Sequence, residues 1–93
     1  MIKVIMFTST TCLPCEKMKP VLSSVCDELS VPLDFIWKES DKENSFNRYN
    51  ILSVPTFLIM KKQDDQYLPI NSYIGTRSRA ELVNLLTRHK EMQ

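Results

Sequence analysis

The apolar residues of this chain fall into short continuous runs and into stripes with helical spacing. The runs are rich in β-branched and large apolar side chains, and they predict strands at residues 2–7, 33–37, 57–60 and 67–74. The stripes recur every three or four residues, and they predict helices at about 15–29, at about 40–49 and after residue 78. The elements therefore follow the order β-α-β-α-β-β-α, which is typical of an α/β fold.

The connections between these elements restrict the topology. A strand–helix–strand unit of this length needs a parallel, right-handed crossover, whereas the last two strands are close enough to form a hairpin. The first strand carries Lys3 as its one charged residue, which indicates a central strand that is buried on both faces. Pro69 argues that the last strand lies at an edge of the sheet. We expect a four-stranded mixed sheet with helices on both faces.

Several residues mark where helices and strands start, bend or stop. The segments 40–43 and 78–81 both have the serine and glutamate spacing of a capping box, which opens a helix. Pro20 lies inside the first helical stripe, where it removes a hydrogen bond and bends the helix. The polar segment 61–66 predicts a turn between the last two strands, and Gly75 ends the last strand.

Length and composition exclude several classes of protein. The chain has 93 residues, which fits a single small domain over residues 1–93. Its net charge is +1, so neither nucleic acid nor an anionic membrane is an expected partner. No apolar run approaches the roughly 20 residues of a membrane-spanning helix, and the run 2–7 is too short for a signal peptide. We expect a monomer that resides in the reducing cytoplasm.

The chemistry of the chain concentrates in Cys12-Leu13-Pro14-Cys15, between the first strand and the first helix. Two cysteines three positions apart in the first turn of a helix lie on nearly the same face, so their sulfurs can form a bond. The unpaired N–H groups and the partial positive charge of the helix start favour a thiolate. Cys12 lies ahead of the helix and is the candidate attacking nucleophile, whereas Cys15 is the candidate resolving thiol. Pro14 suits the first helical positions, where no N–H is needed.

A non-catalytic pair that binds zinc is the alternative interpretation of these cysteines. Zinc normally needs four ligands, and the remaining candidates are Cys26 along the helix and His89 at the far end of the chain. Cys26 lies eleven residues after Cys15, almost three helical turns away, and is better interpreted as a small buried core residue. A metal site is therefore the less favoured interpretation.

The combination of these residues resembles the thioredoxin superfamily. The motif C-x-P-C-x-x-M-x-P runs from Cys12 to Pro20, and the segment 49–56 reads Y-x-I-x-S-V-P-T. Gly75 follows the last strand, as in the family, and the order of elements agrees from the first strand to the last helix. The resemblance covers nearly the whole chain and implies a minimal thioredoxin fold.

The resemblance implies an activity and the residues that carry it. The activity is thiol–disulfide exchange, in which the Cys12 thiolate attacks a protein disulfide and Cys15 then releases the reduced product. A cis peptide bond is implied before Pro55. No cofactor other than the Cys12–Cys15 disulfide is implied, and no metal. The family's substrate-binding surface corresponds here to Leu13, Pro14, Val54, Pro55, Thr56 and Gly75.

Three departures from the family pattern change the expectations. The chain lacks the strand and helix that precede this core in full-length thioredoxins. Thr11 stands where thioredoxins usually have tryptophan, just before the first cysteine. Met6 stands where they bury an aspartate that relays protons to the second cysteine. Without that carboxylate, we expect the step that deprotonates Cys15 to be slow at neutral pH.

The resemblance leaves several partners and functions open. Candidate reductants are a thioredoxin reductase or glutathione, and candidate substrates are disulfide-containing proteins such as a ribonucleotide reductase. A glutaredoxin is the near alternative. Glutaredoxins usually have a tyrosine in a C-P-Y-C motif and a Gly-Gly pair after the last strand, whereas this chain has Leu13-Pro14 between its cysteines and a single glycine after the last strand. Arg77 or Lys17 could still bind a glutathione carboxylate. A further alternative is a binding module that keeps the fold without the catalysis.

Overall fold

The chain forms a β-sheet covered by helices, and the computed structural model describes residues 1–92 of it. The strands in this part are β1 (Ile2–Thr8), β2 (Leu33–Trp37), β3 (Thr56–Gln63) and β4 (Gln66–Ile74). The helices are α1 (Leu13–Leu29), α2 (Ser45–Arg48) and α3 (Arg79–Glu91), with a 3₁₀ turn at Lys38–Ser40. The predicted order of elements is confirmed. None of the described helices is long and apolar enough to cross a membrane.

The sheet has the predicted mixed topology. Its strand order is β2-β1-β3-β4. β1 runs parallel to β2 and antiparallel to β3, and β3 and β4 form an antiparallel hairpin. β1 is therefore a central strand, and β4 is an edge strand, in agreement with the position of Pro69. The carboxyl end of β1 leads directly to the start of α1, which is where the cysteine pair lies.

Alternating side chains of β1 contribute to two separate hydrophobic layers. Val4 and Met6 face α1 and α3. Ile5 and Phe7 face the opposite side, where the ring of Phe46 lies 5.0 Å from that of Phe7 in an edge-on arrangement. Helices therefore lie on both faces of the sheet, with α1 and α3 on one face and α2 on the other, as predicted.

Helix α1 begins at Leu13, slightly earlier than the apolar pattern indicates. Cys12 is its N-cap, because the Cys12 sulfur accepts a hydrogen bond from the Cys15 N–H at 3.2 Å. Pro14 is tolerated in the first turn, since no intrahelical hydrogen bond requires an N–H at that position. The helix then continues through Pro20.

The second helix is shorter than predicted, and the predicted capping box at residues 40–43 is wrong. Ser40 ends the 3₁₀ turn instead of opening a helix. The Asp41 carboxylate accepts hydrogen bonds from the N–H groups of Ser45 at 3.0 Å and Phe46 at 2.8 Å. A box at 40–43 would open the helix at Asp41, whereas the Asp41 carboxylate holds the first two amides of α2, which begins at Ser45 and has only four residues.

The turn between β3 and β4 is tighter than the predicted segment 61–66. Both strands extend into that segment, so that only Asp64 and Asp65 connect them. Their φ angles are 50° and 67°, in the left-handed region that aspartate tolerates better than most residues. The hairpin is therefore longer than its apolar residues alone indicate, because the pairing includes polar positions.

Helix α3 begins at the predicted capping box. The Ser78 hydroxyl accepts a hydrogen bond from the Glu81 N–H at 3.2 Å, and the Glu81 carboxylate accepts one from the Ser78 N–H at 3.1 Å. Leu82, Leu85 and Leu86 form the buried stripe of the helix. This stripe packs in the same cluster as α1, so α3 helps to fix the helix that carries the cysteine pair.

Candidate active site

The cysteine pair lies at the junction of β1 and α1, as the sequence predicts. Cys12 and Cys15 are joined by a disulfide, with their Cα atoms 5.2 Å apart. Cys15 is fully buried in the core, whereas Cys12 is partly exposed at the start of the helix. An incoming sulfur can therefore reach Cys12 more readily than Cys15. This asymmetry agrees with Cys12 as the attacking thiol and Cys15 as the resolving thiol.

The loop before β3 holds the second predicted motif in a fixed conformation. The Val54–Pro55 peptide bond is cis, as the resemblance implied. Pro55 is buried, and its carbonyl accepts a hydrogen bond from the Gly75 N–H at 2.8 Å. Thr56 is also buried, and its hydroxyl donates to the carbonyl of Ser53 at 2.8 Å. The first of these bonds connects the loop to the residue after β4, the second closes the loop on itself, and Val54 between them is partly exposed.

Only some of the predicted substrate-binding residues present a side chain to solvent. Leu13 is 70% exposed, and Pro14 is exposed beside it, whereas Val54 is half-buried. Two further exposed apolar residues were not predicted from the sequence, namely Leu52 at 88% and Ile74 at 64%. Leu52 lies two positions before Val54, and Ile74 is the last residue of β4. Exposed apolar side chains such as these are available to contact a partner.

A hydrogen-bond network that the sequence analysis missed holds the loop before Cys12. The Glu39 carboxylate accepts hydrogen bonds from the Ser9 hydroxyl at 2.7 Å and from the Thr10 N–H at 3.1 Å. The Ser9 hydroxyl oxygen in turn accepts one from the Thr11 N–H at 3.3 Å. These bonds, that from Ser9 foremost, hold the pKa of Glu39 below its usual value. Since Glu39 lies 30 positions from Ser9, no local pattern could have predicted this contact.

The surroundings of Cys15 on β1 are apolar. Met6 is fully buried in the same cluster as Cys15, on the face of the sheet that packs against α1. A thioether cannot take a proton from a thiol at neutral pH. Met6 therefore offers Cys15 no group that could accept its proton, at the position where the resemblance places an aspartate.

The third cysteine is a core residue, as predicted. Cys26 is 1% exposed and lies in the cluster between the sheet, α1 and α3. Burial, followed by the negative charge of Asp27, raises the pKa of the Cys26 thiol from 9.0 to about 12. The thiol is therefore protonated at neutral pH and is a poor nucleophile.

The other candidate metal ligand is also engaged elsewhere. His89 lies on α3 with its Nε2 atom 3.0 Å from the phenol oxygen of Tyr73. Burial, followed by the charge of Arg88, lowers the pKa of the His89 imidazole. Within residues 1–92, no three histidine, cysteine, aspartate or glutamate side chains lie close enough together to hold a metal ion.

Comparisons with known sequences agree with the fold and with the cysteine pair. The sequence profile of the thioredoxin family matches residues 1–88. The chain is 25% identical over 89 residues to a thioredoxin of Staphylococcus epidermidis, and the alignment covers 95% of this chain and 82% of that protein. It is 26% identical to a thioredoxin of Staphylococcus aureus over the same length and coverage. The chain belongs to the thioredoxin family.

Solved structures show the same fold. A thioredoxin from Thermus thermophilus has a TM-score of 0.74 at 20% identity, with 94% of this chain and 72% of that chain covered. A thioredoxin from Fasciola hepatica has a TM-score of 0.75 at 21% identity, with 95% and 80% covered. Family membership and the C-x-x-C disulfide identify the chain as a thiol–disulfide oxidoreductase. Thioredoxins use this disulfide as their redox group and need no external cofactor.

Proposed function

We propose that the chain reduces disulfide bonds of protein substrates, with Cys12 as the nucleophile and Cys15 as the resolving thiol. The observation that carries the proposal is the asymmetry of the pair, since Cys12 is partly exposed and Cys15 has no exposed surface. A first-turn amide of α1 also contacts the sulfur that is proposed to attack, because the Cys15 N–H donates a hydrogen bond to Cys12 Sγ at 3.2 Å. In the reduced protein such a donor stabilises a Cys12 thiolate.

The reaction proceeds in two exchanges. In the first, the Cys12 thiolate attacks one sulfur of the substrate disulfide, and the other substrate sulfur leaves as a thiolate that takes a proton from water. In the second, Cys15 loses its proton to water and attacks the Cys12 sulfur, which releases the second substrate sulfur. Two electrons pass to the substrate, and the protein is left with its Cys12–Cys15 disulfide.

The substrate is proposed to dock on the exposed surface around the pair, formed by Leu13, Pro14, Val54 and Gly75. By family resemblance, the backbone of Val54 pairs with the substrate chain, and the buried Pro55 fixes that backbone. The exposed Leu13 side chain supplies apolar contact beside the nucleophile. The net charge of +1 favours recognition through backbone pairing and apolar contact over electrostatic attraction.

A glutathione-coupled reductase is supported less well by the surroundings of the last strand. The Arg77 guanidinium donates hydrogen bonds to the carbonyl oxygens of Ile74 at 2.9 Å and Thr76 at 3.0 Å. Arg77 therefore stabilises the turn at Gly75, and part of its donor fork is no longer available to a carboxylate. Lys17 is exposed on α1 and offers only a single point charge. We accordingly favour a thioredoxin reductase over glutathione as the reductant.

We further propose a monomeric electron donor that serves an enzyme such as a ribonucleotide reductase in the cytoplasm, or in the host cytoplasm if a phage encodes it. The exposed apolar side chain of Leu13 beside Cys12 supports contact with a protein partner. A binding module without catalysis would have no need for an exposed and a buried cysteine in one disulfide. The double variant Cys12→Ser with Cys15→Ser separates the two functions, because a binding module would keep its biological activity.

The Cys15→Ser variant tests the assignment of the two cysteines. Without the resolving thiol the reaction should stop at the mixed disulfide, so a disulfide-containing protein such as insulin should become attached to Cys12. Mass spectrometry would show one adduct per chain. The matched control, Cys12→Ser, should form none. An adduct on the control, or none on the test variant, contradicts the assignment.

The reduction potential distinguishes between the two kinds of reductase. Equilibration of the Cys12–Cys15 couple against a thiol standard should give about −270 mV for a thioredoxin-type reductant. A value of about −200 to −230 mV supports the glutaredoxin alternative. The absence of any two-electron couple would remove the redox function while leaving the fold unchanged.

A further inference from the structure

A buried hydroxyl at the end of β1 lacks a hydrogen-bond partner. Thr8 is the last residue of β1 and has no exposed surface. Its Oγ1 atom makes no hydrogen bond to any group within the described residues. A buried hydroxyl without a partner is costly, and native proteins keep few of them without a functional reason. We therefore ask whether the Thr8 hydroxyl has a role in the chemistry of the cysteine pair.

The position of Thr8 relates its hydroxyl to the cysteine pair. Side chains alternate along β1, so Thr8 shares a face with Met6, which packs in the same buried cluster as Cys15. In the sheet Thr8 is paired with Trp37 of β2. The Trp37 ring is covered by the ammonium group of Lys19 from α1, 4.0 Å from the ring centroid. Thr8 therefore lies on the face of the sheet that α1 covers, in the layer that contains Cys15.

In the oxidised protein the Thr8 hydroxyl makes no hydrogen bond to either sulfur of the Cys12–Cys15 disulfide. Reduction by a dithiol adds two electrons, breaks the Cys12–Cys15 bond and leaves two free sulfurs. We propose that Thr8 donates a hydrogen bond to the Cys15 sulfur in the reduced protein, and that this bond becomes stronger when Cys15 loses its proton in the resolving step. The inference rests on the redox function proposed above. It assigns the hydroxyl of Thr8 a hydrogen bond that forms only in the reduced protein.

The proposed role does not involve proton transfer by Thr8. The hydroxyl keeps its proton and donates a hydrogen bond, while the proton of Cys15 goes to water. A hydrogen bond to a charged sulfur is stronger than one to a neutral group, and burial strengthens it further. Thr8 therefore provides part of the stabilisation that the apolar Met6 side chain cannot give.

The test compares Thr8→Val, which keeps the shape and removes the hydroxyl, with Thr8→Ser, which keeps the hydroxyl and removes a methyl group. Thr8→Val should shift the equilibrium with dithiothreitol toward the disulfide by about tenfold, equivalent to a potential lower by about 30 mV. Urea unfolding should show a lower midpoint for the reduced variant, and an unchanged or higher midpoint for the oxidised variant. Thr8→Ser should leave the equilibrium within about twofold of the wild type, since the donor remains.

The direction of these changes separates the proposal from a purely structural hydroxyl. If Thr8→Val lowers the stability of both redox forms equally and leaves the equilibrium constant unchanged, the proposal is wrong. If Thr8→Val does not fold, Thr8→Ala against Thr8→Ser makes the same comparison of hydroxyl removed and hydroxyl retained. These measurements need no protein substrate. The Thr8 proposal can therefore fail while the trapping experiment with Cys15→Ser succeeds. The trapping experiment can likewise fail while the Thr8 variants behave as expected.

Discussion

The first turn of α1 and the later part of the same helix both carry cysteine, and the two regions surround sulfur with different groups. At the start, Cys12 caps the helix, accepts an amide hydrogen bond and is partly exposed. Cys15 follows in the same turn and forms the disulfide. Further along, Cys26 is buried next to Asp27, with a pKa of about 12. One helix thus contains a reactive and an unreactive thiol environment.

The difference has a physical cause in the position of each sulfur along the helix. The N-terminus of a helix presents unpaired amides and partial positive charge, which favour a thiolate. The last turn, which contains Cys26, presents partial negative charge, and burial there removes water as well. A place on this helix therefore does not by itself make a cysteine redox-active. Cys26 is on the same helix as Cys15 but has neither unpaired amides nor partial positive charge beside its sulfur.

Replacing one cysteine from each region should give the largest difference in the rate of disulfide reduction. Cys12→Ser should reduce insulin disulfides no faster than dithiothreitol alone, because the attacking sulfur is gone. Cys26→Ser should keep activity within about twofold of the wild type once its folded fraction is matched by circular dichroism. An equally severe loss in both variants would contradict the division of the helix into two regions.

Alkylation of the reduced protein should show the same contrast without any substrate. At pH 7, a thiol with a pKa of about 12 is ionised in about one molecule in a hundred thousand, and burial adds a steric barrier. Iodoacetamide should therefore label Cys12 rapidly and leave Cys26 unlabelled until urea unfolds the chain. Peptide mass spectrometry locates each label. Labelling of Cys26 in the folded protein at a rate close to that of Cys12 would break the comparison.

The start of α3 could be predicted from the sequence, whereas the start of α2 could not. The capping boxes at 40–43 and 78–81 have the same spacing of serine and glutamate. Ser78 forms both hydrogen bonds of the box, whereas in the other segment the Asp41 carboxylate accepts from the Ser45 and Phe46 amides, at the start of α2. Pattern matching cannot tell which of the neighbouring Ser40 and Asp41 side chains holds the helix start, since both are preferred capping residues.

The candidate site was predictable to a similar extent. Cys12, Cys15 and Pro55 belong to short motifs and could be recognised from the sequence. Thr8 and Glu39 could not, since the burial of Thr8 depends on β2 and α1 together, and Glu39 reaches the loop from 30 positions away. Tertiary packing decides whether such polar residues are solvated or enclosed. Sequence periodicity carries no information about that choice.

The stability of the oxidised protein at alkaline pH should reveal the environment of Cys26, because the other two cysteines do not titrate while bonded. The pKa of Cys26 is raised from 9.0 in an ordinary setting to about 12 in the fold. Above pH 9 the unfolded chain therefore binds fewer protons than the folded chain, and stability falls as pH rises toward 12. Its contribution is fully present below pH 9.

The matched variant for this measurement is Cys26→Ala. Between about pH 9 and pH 12 the wild type should lose up to about 1.4 kcal/mol of unfolding free energy per pH unit more than the variant. Lysine and tyrosine titrate in both proteins, so the difference between the two urea unfolding curves isolates the thiol. Parallel pH dependences would mean that Cys26 ionises normally, and its burial would then not explain its lack of reactivity.

The smallest effect on stability is expected for the exposed residue of the first region. Leu13→Lys should change the free energy of unfolding by less than about 0.5 kcal/mol, because the side chain is 70% exposed. It should change the relative rates for different protein disulfides severalfold, since Leu13 lies directly beside Cys12. Leu68→Lys is the matched control. Leu68 is also exposed, and it lies near the start of β4, whereas the end of β4 leads to Gly75 of the proposed docking surface. Unchanged rates with every partner, or equal changes in both variants, would show that reactivity at the helix start depends on the sulfur environment alone.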